Sequence, residues 1–318
     1  MKKLLLLGIV LLLVSISIIA TSTTAAEKEY TIYMVSHSSP ADSYWAVVNQ
    51  GLMDAAEIFN VNVVFSAPDK YSITEMINIF ESVIDAKPDA IAISTTDPVA
   101  MDKTLRRAID SGIPLINYDS KDNRGEIPYL TYIGGDEWYN GHYCAVAALE
   151  KFTPKHVLIG WHEPGHTAHA IRSGAVKEVL DENNIPYMDL DIGVDLTKQL
   201  EAFNAAFARN PEIDAIYTMG PPGTIGALKF IEQNNLKGKV KIFCQDFSPE
   251  ILEGIKAGDV VVAASQQPYL QGFLSVVTAY TFLNYGQASV SDIITSVRMV
   301  DIDNVDAVID FAAQRKAG

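Results

Sequence analysis

Residues 162–166 read His162-Glu163-Pro164-Gly165-His166, with His169 three positions further on. Two histidines four apart, the first followed by a glutamate, form the H-E-x-x-H pattern: a helix sets both imidazoles on one face to hold zinc, and the glutamate serves as general base. That chemistry depends on the helix. Pro164 and Gly165 are the two poorest residues for a helix interior, so a zinc-dependent hydrolase through His162, Glu163 and His166 is only the alternative reading, and no metal ligand or catalytic residue is assigned. A different chemistry is offered by Asp42-Ser43-Tyr44-Trp45, where a carboxylate precedes two large aromatic residues. The C–H face of a sugar ring suits an aromatic face, and its hydroxyls need acceptors such as carboxylates. The same rings would serve equally to cap a core beneath the following helix. Gly220-Pro221-Pro222-Gly223 lacks the Lys-Ser/Thr of a phosphate loop and reads as a turn. No nucleophile accompanied by an activating base is visible, so the chain is not expected to be an enzyme.

These residues fall in the gaps of a regular alternation. Apolar, β-rich runs predict strands over 30–35, 61–65, 90–94, 114–118 and 130–133, then over 157–160, 187–190, 213–218, 240–243 and 260–264. Amphipathic helices are predicted over 43–59, 72–86 and 98–111, and over 139–151, 168–182, 196–208, 223–234 and 249–257. Ser72 with Glu75 makes a capping box, and Asp97-Pro98 supplies a cap and a first-turn proline. Two series of βα units imply an α/β fold of two doubly wound parallel-sheet lobes, whose ligands bind beyond the carboxyl ends of the strands.

Length and charge narrow the class. The chain has 318 residues, enough for a core to divide into two lobes. It opens Met1-Lys2-Lys3 and continues through an apolar run over 4–20 into small residues ending at Ala26, which reads as a signal peptide over 1–26. The formal net charge of −15 becomes −17 once Lys2 and Lys3 are removed, which argues against nucleic acid and anionic membrane surfaces as partners. The two cysteines, Cys144 and Cys244, fit neither a disulfide framework nor a paired metal motif and are expected to be buried free thiols.

Two stretches carry a family resemblance: Ser111-Gly112-Ile113-Pro114-Leu115-Ile116 followed by Asp119, and Tyr132-Ile133-Gly134-Gly135-Asp136 followed by Gly141. Their order and spacing resemble the type I periplasmic sugar-binding proteins, the ribose-binding-like solute receptors of ABC importers, over residues 30 to about 300. The resemblance implies a three-crossing hinge, with residues 27–135 plus 267–295 in an N-terminal lobe and 136–266 plus 296–318 in a C-terminal lobe. It implies a soluble periplasmic protein, expected to be a monomer, that captures a small neutral sugar or polyol and passes it to an ABC permease, with a chemoreceptor as a further candidate partner and no cofactor. Sugar-responsive repressors share the fold, but the export signal occupies the place of a DNA-binding head.

Position by position, the resemblance assigns ligand contacts to Asp42, Tyr44 and Trp45, with His37 and Ser38 on the same loop, and to Asp119, Arg172, Asp246 and Gln266. Trp161 is the candidate for an aromatic that the family places near Asp195, where this chain has Val194. The chain departs from the family elsewhere too. Asp42 replaces a frequent Asn, Ser120 replaces the Arg of ribose binders, Ala175 replaces the glycine after Arg172, and Gly220 replaces an Asn. Three carboxylates against one guanidinium favour a neutral ligand.

Overall fold

The computed structural model describes residues 30–316. The expected signal peptide and its cleavage after Ala26 lie outside the described residues. No helix among the described residues is long and apolar enough to cross a membrane.

The first half builds β1 (Thr31–Val35), α1 (Ser43–Phe59), β2 (Asn62–Ser66), α2 (Ile73–Asp85), β3 (Ala90–Ser94), α3 (Pro98–Asp110), β4 (Leu115–Tyr118) and β5 (Tyr132–Gly134). The second builds α4 (Glu137–Lys151), β6 (Val157–Trp161), α5 (Thr167–Glu182), β7 (Tyr187–Asp191), α6 (Leu196–Arg209), β8 (Ala215–Thr218), α7 (Pro221–Gln233), β9 (Lys241–Gln245), α8 (Pro249–Lys256) and β10 (Val260–Ser265). The chain closes with α9 (Pro268–Tyr285), β11 (Ile293–Ile294), β12 (Arg298–Val300) and α10 (Val305–Lys316). These elements form two six-stranded sheets, ordered β11-β5-β4-β3-β1-β2 and β12-β10-β9-β8-β6-β7. All pairings are parallel except that β12 runs antiparallel to β10. The two α/β lobes expected from the alternation are therefore present.

Strand β3 shows why the runs are apolar throughout. Ala90 and Ala92 enter one core with residues of α1, while Ile91 and Ile93 enter the other with residues of α2 and α3, so helices cover both faces and no position is left for a polar side chain. Helix α9 follows β10 of the second sheet yet packs on α1 of the first, with Val276 and Ala279 in the core that holds Ile32 and Leu52. Two glycines permit this approach: a Cβ at Gly51 would stand 2.1 Å from Tyr269 O, and one at Gly272 would stand 2.0 Å from Val48 O. The chain thus passes between the sheets after β5, after β10 and again between β11 and β12. Three connections at one place make the site of a hinge.

Helix starts depart little from expectation, with the reasons visible in the caps. Asp42 accepts from Tyr44 N, Ser72 from Glu75 N and Asp97 from Val99 N and Ala100 N. Helix α7 begins at Pro221, two residues before its predicted start, because both prolines occupy the first turn where no donor is needed. Cys144 and Cys244 are both free and buried, and Cys144 Sγ donates to Cys244 O at 3.3 Å.

Candidate functional site

The carboxyl ends of both sheets face each other, and the loops leaving β1, β4, β6, β8, β9 and β10 enclose a cavity of about 40 Å³. Of the residues assigned from the sequence, His37, Asp42, Tyr44, Trp45, Asp119, Arg172, Asp246 and Gln266 line it. Ser38 and Trp161 do not. The Ser38 carbonyl accepts from Ser36 Oγ at 2.5 Å within its own loop. Trp161 is turned to the outside of the second lobe, where its Nε1 donates to Asp189 Oδ1 at 2.8 Å and Lys177 Nζ sits 5.7 Å from its ring. Period-two alternation along β6 sends its side chain away from the cleft.

On the first lobe, the wall is built from rings braced edge to face. Trp45 is 3% exposed and stands T-shaped to His37 at 4.8 Å, Tyr44 at 5.0 Å and Tyr118 at 6.1 Å. It lines the cavity and also belongs to the core of the first lobe. Tyr44 Oη donates to Asp119 Oδ1 at 2.8 Å and lies 3.0 Å from Gln271 Oε1. Asp119 also accepts from Ser94 Oγ at 2.8 Å.

On the second lobe, Arg172 is committed to its own scaffold. Its Nε donates to Glu137 Oε2 and one of its terminal nitrogens to Met219 O at 3.0 Å. Glu137 heads α4 and also takes a bond of 3.2 Å from Asn140. It was not assigned from the sequence; an acid in a helix first turn ordinarily faces solvent. Asp246 accepts from the backbone N of Gln266 at 2.9 Å and from its side-chain amide at 2.7 Å. Asp119 and Asp246, at the ends of β4 and β9, both adopt left-handed backbone, with φ of 58° and 55°. This sharp turn at corresponding points of the two lobes points each carboxylate inward, and Asp tolerates it better than most residues.

The largest departure concerns residues 162–169. The segment is a loop entering α5, as the Pro-Gly pair requires, yet His162, Glu163, His166 and His169 are all buried in the cavity wall. Histidines that the absence of a helix was expected to keep apart are brought together by the chain doubling back: His166 caps α5 and stacks on His169 at 4.3 Å, and His169 lies 4.7 Å from His162. Among the described residues, two groups could hold a metal ion, His37-Glu163-His166 and His162-Glu163-His169. Met219, Gly220, Pro221 and Pro222 complete this wall.

Burial governs the electrostatics. Desolvation, with Arg172 adding to it, lowers His37 and His162 to about 3 and holds His166 and His169 well below the usual range, so all four rings are neutral. Burial, then the charges of Asp42 and Asp119, raises Glu163 to about 8. Burial raises Asp246 to about 6 against the attraction of Arg172. For Arg172 itself burial opposes the charge, but Glu137 more than offsets it and the guanidinium stays protonated. The lobes touch across the cavity, with Thr167 N and Oγ1 donating to Thr96 O at 3.1 and 3.0 Å.

With that geometry in place, the chain matches a family model described as a periplasmic binding protein domain over residues 32–288. The chain belongs to the periplasmic binding protein family. Its similarity extends to the ABC transporter periplasmic-binding protein YphF of Escherichia coli, 28% identical over 251 residues that cover 75% of each chain. The xylose/arabinose-binding protein XylF of Sulfolobus acidocaldarius is 23% identical over 268 residues, covering 80% of this chain and 66% of that protein. A carbohydrate transporter structure from Acidothermus cellulolyticus, in complex with myo-inositol, superposes with a TM-score of 0.82 at 26% identity, covering 90% of this chain and 99% of that one. As a periplasmic binding protein the chain is a receptor and not an enzyme, and the zinc-hydrolase alternative finds no support among its relatives.

Proposed function

We propose that this periplasmic binding protein captures a small neutral sugar or polyol between its lobes and delivers it to an ABC permease in the periplasm. We take the lobes, among the described residues, to be residues 30–135 plus 267–295 and residues 136–266 plus 296–316. The observation that supports the ligand class is the convergence of Asp119 from the first lobe and Asp246 from the second on one cavity walled by Tyr44 and Trp45. Carboxylates facing each other across a small space suit hydroxyl donors, and an aromatic wall suits the C–H face of a ring. Relatives named for pentoses and a structural neighbour holding myo-inositol belong to the same chemistry.

A cavity of about 40 Å³ has room for no more than a few water molecules. Entry of a ring therefore requires the lobes to part at the three connections and the Thr96–Thr167 bonds to break. A ligand touching both lobes then favours closure by its differential affinity for the closed state. A thermal-shift screen of the mature protein against neutral sugars and polyols tests this, because a ligand at 100 times its Kd stabilises by about 2.7 kcal/mol. At least one neutral compound should raise the melting temperature saturably; a response confined to sugar acids or phosphates would overturn the proposal.

A further inference from the structure

Four imidazoles and the Glu163 carboxyl group meet in the cavity, and hydrogen bonds show where two of the rings, His37 and His166, carry their protons. Ser94 Oγ gives its proton to Asp119 Oδ2 at 2.8 Å, so in its bond of 3.2 Å to His37 Nδ1 the proton belongs to His37. His37 Nε2 therefore presents a lone pair, 3.6 Å from Glu163 Oε2. His166 is the opposite case. Its Nδ1 accepts from Ala168 N at 3.2 Å, which puts the proton on Nε2, 3.4 Å from Ser120 Oγ. His166 is thus a helix cap whose remaining nitrogen is a donor.

His169 Nε2 stands 3.8 Å from the same Glu163 oxygen, and the ligand atoms of His162, Glu163 and His169 lie within 4.8 Å of one another. The Nδ1 atoms of His162 and His169 are buried without a partner. At 3.6 and 3.8 Å, neither His37 nor His169 makes a hydrogen bond to Glu163. A carboxyl oxygen and imidazole nitrogens grouped this closely with no hydrogen bond between them form a donor set that a cation would fill.

We propose that the cleft binds a divalent transition-metal ion of the zinc type, held by Glu163, His162 and His169 of the second lobe, with His37 of the first lobe, 3.6 Å from Glu163 Oε2, drawn in as the fourth ligand. Three nitrogens and one oxygen suit zinc, cobalt or nickel; magnesium and calcium take oxygen ligands. Bonds of 2.0–2.1 Å in a tetrahedron place donors about 3.4 Å apart, so the carboxyl-to-imidazole spacings of 3.6 and 3.8 Å contract by a few tenths of an ångström, and the other spacings of the His162-Glu163-His169 group, all within 4.8 Å, by up to about 1.4 Å. The His37-Ser94-Asp119 chain is the outer-shell relay that fixes a ligating histidine in one tautomer. Three ligands lie within one short segment of the second lobe, and the fourth arrives only when the lobes close, so the ion favours closure. His166 is not a ligand, and no hydrolysis is implied. The inference goes beyond the sugar reading and stands without it.

The test uses untagged, chelator-stripped mature protein titrated with Co²⁺ alone and read by visible absorption. One equivalent should bind with the intense bands of a four-coordinate ion and be displaced by Zn²⁺. His162→Ala and His169→Ala should each weaken binding at least about tenfold, since losing an outer-shell partner alone costs 10–100-fold. His142→Ala, outside the cavity, should leave it unchanged. With His37→Ala, small-angle scattering should show a more open Co²⁺-loaded protein than wild type. Absence of stoichiometric Co²⁺ and Zn²⁺ binding by the wild type, which depends on no variant folding, overturns the proposal. So does binding that survives the double substitution of His162 and His169. The sugar and polyol screen repeated on stripped protein separates the two readings: a sugar response without ion binding leaves only the sugar reading, and ion binding without a sugar response leaves only the metal site.

Discussion

Asp246→Asn should stabilise the ligand-free protein at neutral pH, by an amount that depends on pH in a defined way. Asp246 is 3% exposed, and burial raises it from the ordinary 3.8 to about 6 in spite of two bonds from Gln266 and the charge of Arg172. A carboxyl raised in the folded state is protonated more readily there than in the unfolded chain. Its destabilising effect is therefore absent below about pH 4, grows as pH rises to 6 and is complete above it. At about 1.4 kcal/mol per pH unit, that interval corresponds to about 3 kcal/mol. The new amide keeps its oxygen on the backbone N of Gln266. If the Gln266 side chain turns over, its Oε1, now buried without a partner, accepts from the new NH₂, and the number of bonds is preserved. Guanidinium unfolding of both proteins from pH 4 to 8 measures the difference. The variant's advantage should increase by about 3 kcal/mol between pH 4 and 6 and stay level to pH 8. A difference that is flat across the whole range would mean that Asp246 titrates normally and that its burial is not what governs it.

Trp45→Ala should abolish sugar or polyol binding and also cost about 3–5 kcal/mol of stability in urea unfolding, because the ring lies in the core as well as in the wall; an unchanged midpoint would refute the core role. Arg172→Met should cost about 3–5 kcal/mol by leaving Glu137 buried without its counter-ion, and most of that loss should return in the double variant with Glu137→Leu; a double variant as unstable as the single would show that the pair is not the cause. Calorimetry should find uronates and sugar phosphates weaker than every neutral ligand that binds, since Arg172 already serves Glu137 and Met219 and the carboxylates of Asp42, Asp119 and Asp246 face the same space.

What the sequence made legible follows the physics of each element. Strands covered on both faces must be apolar throughout, so β3 and β4 stand out as runs, and the helix over Ser43–Phe59 is bounded by a capping Asp42 and a left-handed Asn60. Helix α9 escaped notice for the converse reason. It lies against α1 through Gly272, Val276 and Ala279, and its sequence has no strongly polar face to give it a period. Short β11 and β12 owe their pairing to β5 and β10, not to any local pattern.

Cavity-lining positions were readable where they follow from local structure, as for Asp119 and Asp246 just past strand ends and Asp42 at a helix cap. Glu137 and the histidines obey a different rule, because their neighbours come from the other side of the cleft or from another helix. A first-turn glutamate is drawn inward only because Arg172 reaches it from α5, at a point where Gly141 lets the two helices approach, a Cβ there falling 2.3 Å from Arg172 O. Likewise, Pro164 and Gly165 do exclude a helix, but a tight loop ending in a cap returns His166 and His169 beside His162 without one. The H-E-x-x-H spacing is then no guide to which histidines can act together. What separates them is the hydrogen bonding: Ala168 N holds His166 Nδ1 as an acceptor and keeps that ring as the helix cap, while His162 and His169 share a group with Glu163.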